Sequence, residues 1–184
     1  MPMTAPSDSE LRRVGRPVRA AIALGGNLGN SQQILPAAVQ AIDQELGITV
    51  VARSPLYKTA PVGPPQPDYL NACVLVETVL TARSLLFRLL AIETQFGRIR
   101  QERWGARSLD LDLLLFGDQI IDLPGLTVPH PRLHERPFVL VPLADIAPAW
   151  PHPIFGKTIA QLLEQLPIAG VKSSVEAIAI PQSP

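Results

Sequence analysis

The chain has 184 residues, 47% of them hydrophobic, which is enough for one good core and a squeeze for a second complete domain. Its 16 basic and 16 acidic residues cancel, so no global field draws it to nucleic acid or anionic lipid, and an anion site has to come from local clustering. The sole cysteine, Cys73, forms no internal disulfide, no apolar h-region follows the N-terminal charges, and no stretch approaches the roughly 18 apolar residues of a membrane helix; a soluble cytoplasmic protein is expected.

Residues 1–16 are rich in Pro, Ser and charge without a period and read as a flexible leader, with residues 17–167 as a single domain. Val18 to Leu24 predicts a buried strand. The turn Gly25-Gly26-Asn27-Leu28-Gly29-Asn30 then leads into a helix carrying Ile34, Ala38, Ala41, Ile42 and Leu46. Asn30 and Gln33 resemble a capping pair, and Pro36, beyond the first turn, predicts a kink or a late helix start. Ile48 to Lys58 and Tyr69 to Thr78 read as strands on either side of a stiff, proline-rich loop from Ala60 to Pro67. Thr81 caps a second helix, which bears Leu85, Leu86, Leu89, Ile92 and Phe96 and ends at Gly97. Leu109 to Phe116 is the fourth strand. After it come an extended piece around Gln119 to Asp122, a loop through Pro129-His130-Pro131, a helix around Val139 to Ile146, another from Ile159 to Leu166 capped by Thr158, and a loose tail over residues 168–184. This order is the split βαββαβ pattern of a ferredoxin-like α+β sandwich: an antiparallel sheet with helices packed on one face, plus C-terminal helices.

The chemistry concentrates in the fourth strand and the loop before it. From Leu109 the order is apolar, acidic, apolar, acidic, apolar, so Asp110 and Asp112 leave one face and the leucines the other. Their Cα atoms should lie roughly 6.5 to 7 Å apart, close enough for both carboxylates to hold hard cations. Upstream stand Arg98, Arg100, Arg103 and Arg107, guanidinium groups suited to phosphate oxygens. Half-buried strands often alternate Leu with acids because one face is wet, yet like charges on one face repel unless something positive covers them. Acids and arginines together point to a nucleotide-using phosphoryl transferase. Gly156-Lys157-Thr158 ends like a Walker A motif, but Pro151 stands where its first glycine belongs, and the glycines at 25–29 lack Rossmann spacing. A nucleotide would therefore be held by side chains and metal.

Gly26-Asn27-Leu28-Gly29, Pro67-Asp68-Tyr69-Leu70-Asn71, Arg103-Trp104-Gly105, Arg107-Ser108-Leu109-Asp110-Leu111-Asp112 and the run from Val128 to Phe138 occur in this order and spacing in the hydroxymethyl-dihydropterin pyrophosphokinases of folate biosynthesis. The chain resembles that family from about Ala20 to Leu166. The resemblance implies an ATP-dependent diphosphotransferase that moves an intact pyrophosphoryl group from ATP to the hydroxymethyl oxygen of the reduced pterin, leaving AMP. It implies two Mg2+ ions bound with ATP by Asp110 and Asp112, and a catalytic set of Arg98, Arg107, Asp110 and Asp112. Nucleotide contacts are implied for Glu93, Arg98, Arg100, Arg103, Trp104, Arg107, Leu113, Thr127, His130 and Arg136. Pterin contacts are implied for Thr59, Pro61, Val62, Tyr69, Asn71, Trp104, Asp110 and Phe138. A flat heteroaromatic with an amide edge calls for aromatic faces and a side-chain amide, the roles of Tyr69, Phe138 and Asn71.

Without the resemblance, Tyr69 and Phe138 read as core, His130 as a packing residue between prolines, and Glu93 as an ordinary exposed helix glutamate. The loop from Arg98 to Arg103 is about one residue shorter than in some relatives, with Gln101 where others carry lysine. The chain has no room for the aldolase or pteroate synthase domains of some relatives, and a monomer is expected. The alternative is a catalytically inactive ligand-binding or regulatory module on the same sandwich. An RNA-binding sheet fits poorly with 5% aromatic residues and zero net charge.

Overall fold

The computed structural model describes residues 16–61, 65–97, 106–167 and 176–178. Seven elements form the expected unit: β1 (Val18–Gly26), α1 (Ser31–Asp43), β2 (Ile48–Arg53), β3 (Leu56–Thr59), β4 (Tyr69–Thr78), α2 (Ala82–Gln95) and β5 (Asp110–Phe116). Strand β1 lies between β5 and β4, β2 and β3 follow one another along the far side of β4, and every pairing is antiparallel. The run expected as one strand from Ile48 to Lys58 is thus two strands, broken at Ser54-Pro55. Pro55 has no N–H to give a ladder. The serine bridges the break, because its N–H donates to Cys73 O at 2.9 Å and its hydroxyl accepts the Cys73 N–H at 3.0 Å.

The helices start and stop largely where local chemistry directs. Thr81 caps α2 by accepting the Ser84 N–H at 3.1 Å, and Gly97 ends it with φ at 75°. Helix α1 differs from expectation. It begins at Ser31 and carries Pro36 inside it, so its start is not late, and the Asn30 side chain makes no capping bond. Leu35, Ala38 and Ile42 hold α1 down on the sheet, and that tertiary packing outweighs the one backbone bond the proline removes.

Both faces of the sheet are covered. Ile22, Leu24, Leu111 and Leu113 pack under α1 and α2, whereas Ala21, Cys73, Leu75, Leu114 and Leu115 pack against α3 (Pro137–Ile146) and α4 (Ile159–Glu164). Two-sided burial explains why β4 is apolar almost without alternation. A register shift between Ala21 and Ile22 leaves Leu114 as the extra residue of β5, so Leu114 and Leu115 both enter the second core. The Leu114 carbonyl then accepts the His130 N–H at 2.9 Å.

Downstream, the expected extended piece is one arm of a hairpin, β6 (Ile121–Leu123) with β7 (Leu126–Val128), turned at Gly125 with φ at 80°. A bond between Val128 and Pro129 is cis. Thr158 and Gln161 form a reciprocal capping box on α4, which accounts for the Lys-Thr pair without a phosphate loop. Within the segment expected as a loose tail, β8 (Glu176–Ile178) pairs with the outer edge of β3. Among the described residues no helix is long and apolar enough to cross a membrane.

Glu93 is not the exposed helix glutamate that its sequence context suggests. It is 2% exposed, and its Oε1 accepts the N–H of Leu111 at 2.7 Å. Strand β5 is the sheet edge, so the carboxylate supplies an acceptor that no further strand provides, between the two aspartates of the sequence motif. Glu93→Ala should lower unfolding free energy by about 1–3 kcal/mol through the orphaned N–H and the lost packing, measured by denaturant titration. Wild-type stability in that variant would show that the contact carries no weight.

Candidate active site

Cross-strand register builds the site. Asp110 of β5 lies opposite Gly25 of β1, Gly25 opposite Asn71 of β4, and Asn71 opposite Tyr57 of β3. One step along, Asp112 lies opposite Ala23, and Ala23 opposite Cys73. Paired residues share a face, so acids at one end and an amide at the other are separated only by glycine and alanine. The small residues leave a hollow. Helix α3 roofs it, giving a cavity of about 140 Å³ lined by Asp110, Asp112, Arg107 and Arg136 on the charged side and by Thr59, Tyr69, Asn71 and Phe138 on the other. A Cβ at Gly25 would stand 3.1 Å from Asn71 Oδ1, so glycine gives that amide its room.

Each acid is covered by a cation. Arg107 donates to Asp110 Oδ2 at 2.6 Å, and Arg136 stands 3.7 Å from Asp112 Oδ2. Burial pulls the Arg107 guanidinium down, but Asp110, Tyr69 and Asp112 outweigh it and raise its pKa above the arginine norm. Arg136 moves the other way: burial lowers it, Asp112 opposes this, and neighbouring Arg132 adds to the lowering. Arg136 also lies over the Phe138 ring, 5.7 Å from its centroid, joining the charged half of the cavity to the aromatic half.

Asn71 donates from Nδ2 to Thr59 Oγ1 at 2.7 Å, which turns its Oδ1 toward Gly25 and the hollow. His130, half-buried, has its pKa lowered to about 4 by burial first and then by Arg136 and Arg132. Its Nδ1 accepts the Arg132 N–H at 3.1 Å, so the neutral ring carries its proton on Nε2 and can donate there.

Asn27, unassigned from sequence, ties three segments together. Its Oδ1 accepts the Arg107 N–H at 2.9 Å, its Nδ2 donates to Gln66 Oε1 and Pro67 O at 3.0 Å each, and its N–H donates to Arg107 O at 2.9 Å. Gln66 Oε1 also accepts the Tyr69 hydroxyl at 3.2 Å. Gly26 permits the approach, since a Cβ there would overlap the Ser108 carbonyl.

The structure thus brings together Thr59, Tyr69, Asn71, Arg107, Asp110, Asp112, Arg136 and Phe138 around one cavity, with the half-buried His130 beside Arg136. Leu113 does not join them: it is 4% exposed in the core beneath α1 and α2, because its place on the alternating strand points it away from the acids. Glu93 lies on α2 and bonds the edge of β5. Thr127 is exposed on β7, and Pro61 lies just past Ala60, which does line the cavity. Val62, Arg98, Arg100, Gln101, Arg103 and Trp104 lie outside the described residues. Besides Asn27 and Gln66, sequence reasoning missed Gly25 and Ala23 as the floor; two small residues closing a buried strand were the available signal.

Three comparisons bear on the chain. Over 152 residues it is 49% identical to a Synechocystis sp. protein named 2-amino-4-hydroxy-6-hydroxymethyldihydropteridine pyrophosphokinase, covering 83% of this chain and 78% of that one. A Pseudomonas aeruginosa protein of the same name is 44% identical over 155 residues, 84% of this chain and 95% of its own. In structure, the fold matches the wild-type Plasmodium falciparum HPPK-DHPS solved with pterin and p-hydroxybenzoate, at TM-score 0.69 and 18% identity, over 86% of this chain and 45% of that longer one. Residues 21–148, which include the acidic strand, the cavity floor and the whole roof helix, match the family model for 7,8-dihydro-6-hydroxymethylpterin-pyrophosphokinase, and the chain belongs to that family.

Proposed function

We propose that the protein transfers the pyrophosphoryl group of ATP to the hydroxymethyl oxygen of 6-hydroxymethyl-7,8-dihydropterin, leaving AMP, a step of tetrahydrofolate biosynthesis. One observation carries the reading: a single cavity has paired carboxylates and guanidinium groups at one end and an oriented amide with two aromatic rings at the other. A diphosphate acceptor with a flat, hydrogen-bonding ring needs both ends at once. The inactive-module alternative finds no support in this arrangement, since a silent site has no need of two acids held on one face.

The donor set fits magnesium. Asp110 and Asp112 offer hard carboxylate oxygens, and their side chains keep 23% and 37% exposure toward the cavity. Among the described residues no group of three or more His, Cys, Asp or Glu converges, so the pair cannot cage a metal alone. That matches an ion which takes one or two carboxylates and fills its shell with water and substrate phosphates. We assign Asp110 and Asp112 as ligands of two Mg2+ ions that arrive with ATP. When bound, magnesium would neutralise charge on the bridging and β-phosphoryl oxygens.

The chain's own groups do the rest. Arg107 and Arg136 already stand over the acids and present guanidinium groups to phosphate oxygens, where charge grows as the hydroxyl attacks the β-phosphorus. His130, neutral above its lowered pKa, can donate Nε2–H to the nucleotide without adding charge. Asn71 Oδ1 accepts from the amine or amide edge of the pterin, and the Thr59 hydroxyl, having accepted from Asn71, keeps a proton to donate. Tyr69 and Phe138 supply ring faces. Their shared task is alignment of hydroxyl and phosphorus, which lowers the barrier without a protein nucleophile.

Incubation with MgATP and the pterin should yield AMP in step with pterin diphosphate; ADP instead would mean a single-phosphoryl kinase. Asp112→Ala should cut turnover by at least about 100-fold, the scale of a lost electrostatic partner in phosphoryl transfer. Its unfolding free energy should stay within about 0.5 kcal/mol of wild type, because the residue is partly exposed and its 3.7 Å ion pair is loose. Near wild-type rates would remove Asp112 from the metal site. His130 gives a stability signature with a definite sign. Its folded pKa of about 4 lies below the ordinary 6.5, so unfolding takes up a proton between these values; the contribution is complete above pH 6.5 and is lost as pH falls toward 4. In His130→Asn the slope of stability against pH across that window should flatten by up to one proton, a ceiling of about 1.4 kcal/mol per pH unit that partial exposure reduces. An unchanged slope in denaturation midpoints would show that the imidazole titrates normally.

A further inference from the structure

Tyr57 and Asp145 take no part in the site as built above, yet they join its two walls. Tyr57 stands opposite Asn71 on the sheet face that floors the cavity, and its hydroxyl donates to Asp145 Oδ2 at 2.5 Å, linking positions 88 residues apart. Asp145 lies in the last turn of α3. Phe138, in the first turn of the same helix, precedes it by seven residues, so at 3.6 residues per turn the two side chains fall within about 20° of one stripe. One end of that stripe presents a ring to the cavity and the other end is tied to β3. Burial first, then the bond to Asp145 and its charge, push the phenol to about 12, so the proton stays on Tyr57 and the bond persists across the working pH range.

At its N-terminal end α3 meets the sheet through the loose Arg136–Asp112 pair at 3.7 Å and the weak Cys73 thiol bond to Val139 O at 3.6 Å, and the rest of its contacts are mainly apolar: Val139, Leu140 and Leu143 against Cys73 and Leu75. Such contacts resist separation but have no direction, and they fix rotation or sliding of a helix poorly. A short, charge-assisted hydrogen bond has direction and length. We infer that the Tyr57–Asp145 bond sets the rotation and axial position of α3 over the sheet, holds the Phe138 ring at its working height above Asn71, and so determines how tightly the pterin ring is gripped. Tyr57 and Asp145 are positioning residues, and the inference rests on the pterin reading of the cavity proposed above.

The test compares Michaelis constants for the two substrates in variants that remove only the bond. AMP formation by the wild-type protein decides the substrate reading by itself, and its absence overturns that reading and this inference together. With wild-type turnover established, Tyr57→Phe should raise the KM for the pterin about 3- to 10-fold, while the KM for MgATP and kcat at saturation stay within about twofold. Asp145→Ala should reproduce that split, and the Tyr57→Phe/Asp145→Ala double variant should be no worse than either single change, because one bond can be lost only once. Asp145→Asn keeps a carbonyl acceptor for the phenol and should restore the pterin KM to within about twofold of wild type. An unchanged pterin KM in Tyr57→Phe, or a parallel rise for both substrates, overturns the positioning role while leaving the substrate reading intact.

Discussion

The whole arrangement depends on what β1 lacks. Between the acids of the edge strand β5 and Asn71 of β4, β1 offers only Ala23 and Gly25, so the middle of the sheet face has no large side chain to fill the space below α3. Elsewhere on that face Ala21, Cys73, Leu75, Leu114 and Leu115 pack against α3 and α4. A hollow left by missing side chains keeps its shape, because dense packing on either side prevents collapse into it. Substrates can then be held by a site formed before they arrive, which lowers the entropy cost of alignment.

Electrostatics follow from the same geometry. Two carboxylates on one strand face would repel in isolation, and the chain answers with Arg107 from the loop just before the strand and Arg136 from the start of the roof helix. Each guanidinium is near enough to offset a carboxylate, yet the pairs are only part-buried and the loose one spans 3.7 Å. Exchanging such a partner for a metal or a phosphate oxygen is inexpensive compared with breaking a fully buried pair. The Asn27 amide keeps this order from depending on the arginine loop alone, since it anchors Arg107 by both backbone groups to the end of β1.

Legibility from sequence divides along physical lines. The βαββαβ order, the Thr81 cap, the Gly97 stop and the two-faced alternation at Asp110 and Asp112 are local signals, and the structure repeats them. The break at Ser54-Pro55 was less visible, because β-branched residues run up to it and the serine that repairs it acts through a partner 19 residues away. The burial of Glu93 was hidden for a similar reason: a lone glutamate on a helix shows neither its burial nor the edge strand that needs it. Leu113 carried its own answer in the strand period, which placed it with the leucines and away from the acids. The polar clasp of Asn27 and Gln66 depends on three loops meeting, which no periodicity records.

The interruption at Ser54-Pro55 also bears on what happens beside the sheet. An open strand margin invites another chain to add to it, and here the outer flank of β2 and β3 is shut piecemeal. Beside β2, the Asp43 carboxylate accepts the Val50 N–H at 2.8 Å; at the junction, Pro55 has no proton to offer; beside β3, residues from far along the chain return as β8. Three unlike stoppers interrupt that flank without occupying any of the face where the cavity lies.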